Sequence, residues 1–114
     1  MTALYTIIGQ NAPTGTTPSI LFTPVTGHQY VISTLVISNT SAASASASVY
    51  TPKAATTTTA ATNILNAVVI PPNSSLTLTL GITLSGTAPA DNIYVQTSVA
   101  NSLTFTAYGS DVTP

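Results

Sequence analysis

The sequence predicts an all-β fold: an antiparallel, jelly-roll-like β-sandwich of seven or eight short strands. Three observations carry this. Apolar residues alternate with Thr or Ser along several stretches, the period of a strand with one buried face. Each stretch is short and ends at Pro, Gly, Asn or Asp. The chain has 114 residues, 44% of them hydrophobic, which suits one domain with one core.

In chain order, the first apolar run is 4–8, LYTII. Asn11, Pro13, Gly15 and Pro18 separate it from the rest, so residues 1–18 are expected to form an N-terminal strand or arm. Residues 19–114 are expected to form the sandwich within a single domain. The run 20–23, ILFT, ends at Pro24 and Gly27. Residues 29–38, QYVISTLVIS, follow. With strict alternation, Tyr30, Ile32 and Val36 point one way and Val31, Leu35 and Ile37 the other. That suits a central strand covered on both faces, or one that meets a partner subunit.

A turn at Asn39-Thr40-Ser41 leads to 44–50, where Ala45, Ala47 and Val49 alternate with Ser44, Ser46, Ser48 and Tyr50. The stretch 51–63, TPKAATTTTAATN, has no periodicity, and its four consecutive Thr residues oppose a helix. It reads as a long exposed loop or an edge insertion. The run 64–70, ILNAVVI, ends in a tight turn at Pro71-Pro72-Asn73. Residues 76–84 alternate strictly, with Leu76, Leu78, Leu80, Ile82 and Leu84 on one side. After breakers at Gly86, Pro89, Asp91 and Asn92, Ile93, Val95, Thr97 and Val99 oppose Tyr94 and Gln96. Leu103, Phe105 and Ala107 then oppose Thr104, Thr106 and Tyr108. No internal repeat is evident.

An average soluble chain is roughly 25% charged; this one is 3% charged, with Lys53, Asp91 and Asp111 the only such residues. One Lys and no Arg cannot make the basic patch that nucleic acid needs. Two Asp and one His, far apart in sequence, fall short of a metal site. Acid–base chemistry needs titratable groups that tune one another, and the chain has no Glu and no Cys. No run approaches the ~18 apolar residues of a membrane span, and MTALYTIIGQ lacks the basic start and long apolar core of a signal peptide. The expectation is a non-enzymatic protein with no cofactor, no metal, no nucleic-acid partner and no membrane.

The remaining candidates are few. His28 at a strand start reads as a turn-edge residue bonded to backbone. Asp91 and Asp111 could pair as glycosidase carboxylates, but read as a turn former and a solvated terminal residue. Gly109-Ser110-Asp111 lacks the G-x-S-x-G of a nucleophile elbow and reads as a strand end. Asn39-Thr40-Ser41 and Asn73-Ser74-Ser75 fit the glycosylation pattern yet read as turns. The tyrosines carry the clearest functional signal. Tyr50, Tyr94 and Tyr108 sit opposite their strands' apolar sides, where they could stack on a sugar or meet another protein.

Several segments together resemble a family of small virion proteins of tailed bacteriophages. They are Gly9-Gln10, Leu21-Phe22-Thr23-Pro24, Val31 through Asn39, Ile70-Pro71-Pro72-Asn73 through Leu84, and Asn101 through Thr113, with marked turns at Asn39 and Gly109-Ser110. The likeness spans most of residues 9–113. It implies a β-sandwich that assembles on a virus particle, with no catalytic residues to carry over. The role expected from it is capsid decoration (cement) of a phage head. A neck, tail or fibre part and a carbohydrate- or receptor-binding module are the alternatives. The expected partners are the major capsid protein or other virion proteins, and further copies of the chain in a homotrimer. The expected location is the outer capsid surface, after synthesis in the host cytoplasm. Leu4, Tyr5, Ile7 and Ile8 are the expected anchors of the N-terminal segment, joined by Tyr50, Tyr94 and Tyr108 as interface residues. The chain departs from the family in its low charge and in the Thr-rich 55–62 stretch.

Overall fold

The computed structural model describes residues 2–52, 62–87 and 90–113; the side chain of Leu80 and most of the Thr-rich stretch lie outside them. Eight strands are present: β1 (Thr2–Asn11), β2 (Ser19–Phe22), β3 (Gln29–Asn39), β4 (Ala45–Tyr50), β5 (Asn63–Ile70), β6 (Ser75–Ser85), β7 (Ile93–Thr97) and β8 (Leu103–Thr113). Their neighbours nest like a folded ribbon: β1 pairs β8, β2 pairs β7, β3 pairs β6 and β4 pairs β5, all antiparallel. Pairings of β8 with β3 and of β7 with β4 complete two four-stranded sheets, ordered β1-β8-β3-β6 and β2-β7-β4-β5. This winding is a jelly roll. Residues 2–11 are a strand of the chain's own sheet.

The core lies between the sheets. Ile32, Leu35, Ile37 and Phe105 of the first sheet face Val49, Ile93 and Val95 of the second, all fully buried. The alternation read in β4, β7 and β8 gives their inward faces: Ala45, Ala47 and Val49; Ile93, Val95 and Thr97; Leu103, Phe105 and Ala107. Val99, expected inward, lies past the end of β7 and is exposed. Thr97 brings a hydroxyl into the core, where it donates to the Val99 carbonyl at 2.9 Å and lies 3.2 Å from Ser102 Oγ. Among the described residues every buried side-chain polar atom has a partner, as a low-dielectric interior requires.

β3 differs from its sequence reading. Its pairing with both β8 and β6 slips between Ile32 and Thr34. The extra residue against β8 is a bulge, and a bulge exchanges the two faces of a strand. Tyr30 and Ile32 before it and Leu35 and Ile37 after it therefore all point inward, while Val31 faces solvent. The strand is apolar on one face with a change of parity, not on both. The slip crosses the whole sheet, since β1 shifts against β8 between Ile7 and Gly9. Gly109 sits opposite Ile32 at this level, inside β8. It marks no turn: a Cβ there would run into the Val31 carbonyl oxygen, so only glycine lets the strands approach.

The Asn39 turn is built from a buried side chain. Its amide donates to the Ala43 and Ile70 carbonyls at 2.9 Å each, and its Oδ1 accepts from Ser41 N and Ser41 Oγ. The Pro71-Pro72-Asn73 turn places Asn73 at φ 56°, a conformation Asn tolerates. The ends of the aperiodic stretch meet where Thr51 N donates to Thr62 O.

The first sheet has strands of 10 or 11 residues and the second of 4 to 8. The long sheet therefore overhangs the short one. The end of β2 and the loop after it cover part of the overhang: Tyr30 packs edge-on against Phe22 with ring centroids 5.0 Å apart, and its Oη accepts from Val25 N. Among the described residues nothing comparable covers the start of β1, where Thr2 through Ile7 are all exposed.

Candidate functional site

The overhanging edge forms the most distinctive surface. Leu4, Tyr5 and Ile7 are 62%, 85% and 53% exposed. Register places Ile7 beside Tyr108, and Tyr5, Ile7, Ser33 and Tyr108 line a shallow groove on the outer face of the long sheet. Ile8 behaves differently. It is the extra residue of the β1 bulge, half-buried and packed against the core. Of the four expected anchors, three therefore face solvent and one supports the sandwich.

The tyrosines expected to act together divide between the sheets. Tyr50 of β4 lies directly opposite Tyr94 of β7, and Ile20 of β2 lies opposite Tyr94 on its other side. These three form a row across the short sheet. The Tyr50 hydroxyl donates to Gln96 Oε1 at 2.6 Å, and Gln96 Nε2 donates to the Thr16 carbonyl at 2.9 Å. Tyr50 and Tyr94 are half-buried, Ile20 is exposed, and the Tyr50 hydroxyl is engaged. Tyr108 belongs to the other sheet and keeps company with Tyr5 and Ile7. Alternation gives each tyrosine's face along its strand, but only the strand order gives its sheet.

His28, Asp91 and Asp111 lie near one end of the long sheet. His28 Nδ1 and Asp111 Oδ1 are 2.8 Å apart, about a quarter exposed each, and this contact joins the start of β3 to the end of β8. The His28 ring also lies near Tyr30, with centroids 6.2 Å apart. Asp91 closes the loop after β6: its Oδ2 accepts from Ser85 N and its own N–H donates to Ser85 O. Asp91 is thus a turn former, as expected. His28 and Asp111 instead pair with each other, a contact across 83 residues that no local pattern announces. Among the described residues no three His, Cys, Asp or Glu side chains come together to hold a metal, and no helix is long and apolar enough to cross a membrane.

Comparison with known protein families, curated proteins and solved structures finds no match.

Proposed function

We propose that the chain is a non-enzymatic structural protein of a virus particle, a capsid decoration protein that acts through buried contact with its neighbours. The observation that supports this most is the uncharged apolar surface of Tyr5, Ile7 and Tyr108 on the outer face of the long sheet. A contiguous apolar patch on a small domain marks a contact surface. The likeness of segments 9–113 to phage virion proteins supports a phage particle as the setting. The scarcity of charge suits many copies packed side by side, because it avoids like-charge repulsion. The fold alone argues weakly, since one architecture hosts many functions.

The test is a cryo-EM map of intact virions carrying the chain. Density on the outer capsid, bridging shell subunits, is the expected result. Density only at the neck, tail or fibre keeps a structural role and rejects decoration. No density on the particle rejects the virion reading.

A second reading rests on the row of Ile20, Tyr94 and Tyr50 with Gln96 beside it. Aromatic rings next to an amide could bind a carbohydrate. A glycan array with no hit for the chain removes this reading.

A further inference from the structure

We infer that the Thr2–Ile7 edge of β1 is a self-association surface, where a second copy of this chain adds its own β1 antiparallel across a twofold axis. The inference stands on the edge geometry and does not depend on the virion reading.

The two sheets have four edge strands: β1 and β6 on the long sheet, β2 and β5 on the short one. Three of them are poor templates. β2 has four residues and a register break between Ile20 and Phe22. β5 breaks register twice against β4 and holds Ala67 at φ 49°, with the Ala67 N–H tied to Ser48 Oγ. β6 is divided between Thr79 and Ile82 into two shorter runs, Ser75–Thr79 and Ile82–Ser85. β1 differs: from Thr2 to Ile7 it pairs with β8 without a break. Among the described residues no strand pairs with its other side. Residues 2–11 contain no Lys, Arg, Asp, Glu or Pro, the residues that ordinarily stop an exposed edge from pairing with another chain.

The occupant that fits this edge is the same edge. An antiparallel strand pair is twofold symmetric, so one strand complements a copy of itself and closes a dimer. A twofold axis at Tyr5 sets Tyr5 against Tyr5, Leu4 against Thr6 and Ala3 against Ile7. That register pairs aromatic with aromatic on the outer face, a favoured cross-strand combination. Self-pairing brings no like charges together. Leu4 on the inner face and Tyr5 and Ile7 on the outer face are the exposed apolar side chains that flank the joined edge. A threefold assembly through β1 would need a different edge of the next copy, and those edges offer shorter or less regular unbroken runs.

The full chain, studied by light scattering after size exclusion, is expected to have twice its 11.5 kDa mass. Tyr5→Lys, at a site 85% exposed, is expected to halve that mass with an unchanged circular dichroism spectrum. Val69→Lys, on the β5 edge and 60% exposed, is expected to leave it unchanged. Because the chain has no Cys, Tyr5→Cys adds a single thiol. Directly paired antiparallel residues have Cα atoms ~4.5–5.5 Å apart, within disulfide range, so oxidation is expected to link two copies. A monomer, a trimer, a dimer that survives Tyr5→Lys, or a Tyr5→Cys variant that does not cross-link would each overturn the inference.

Discussion

The ladder between β1 and β8 has two halves that share the same strands but have different surroundings. In one half, Gly9–Asn11 run beside Phe105–Ala107, whose Phe105 and Ala107 are fully buried under the second sheet. In the other, Thr2–Ile7 run beside Tyr108–Thr113 beyond its reach, and every residue of the β1 segment is exposed. The pairing is antiparallel in both. A backbone hydrogen bond is worth only about 0.5–1.5 kcal/mol net, whereas burial contributes roughly 25 cal/mol per Å² of apolar surface. Pairing gives the open half its shape, and burial gives the covered half most of the energy. The open half can therefore vary in sequence, or serve a partner, at small cost to the fold.

Substitutions along the ladder can break this contrast. The largest effect is expected in the covered half: Phe105→Ala should cost about 3–5 kcal/mol, seen as a lower urea midpoint at unchanged slope. At the junction, Gly109→Ala would press a methyl group into the Val31 carbonyl and should cost about 2–3 kcal/mol in the same measurement. A cost near zero there would mean that the slip across the sheet is soft. Asp111→Asn, which removes the charge from the His28 contact in the open half, should cost about 1 kcal/mol or less at neutral pH. Smallest of all, Tyr5→Thr in dilute solution should change stability by no more than about 0.5 kcal/mol. A loss comparable to that of Phe105→Ala would show that the open half also stabilises the isolated chain.

The covered half is also the part that the sequence makes legible. Alternation in 45–50, 93–97 and 103–107 gives both the strand and its inward face, because burial acts on every second residue. β3 shows where that reasoning stops. Its apolar positions move from even numbers at Tyr30 and Ile32 to odd numbers at Leu35 and Ile37, and Ser33-Thr34 lies between them. That shift is the mark of a bulge, and strict alternation turns it into a second apolar face. Gly109 could have supported the correction, since a glycine inside a strand pattern often faces a close backbone approach. The open half left weaker traces. The His28–Asp111 contact depends on which strands become neighbours, and so does the separation of Tyr108 from Tyr50 and Tyr94. Neither has a periodic signature. The aperiodic stretch expected as a loop lies mostly outside the described residues, which include only 51–52 and 62–63 of it, joined where Thr51 meets Thr62.

The central place of β8 has a consequence for biosynthesis. It lies between β1 and β3, yet a ribosome makes it after the other seven strands. Until residues 103–113 emerge, β1 has no partner in its sheet and β3 has only β6. The nascent chain holds its uncharged β1 edge open throughout that interval, the kind of exposure that invites premature association. Pairing between strands so distant in sequence is slow to form. Neighbouring ribosomes on one message would then present identical, unpaired β1 strands to each other before any of those chains could fold.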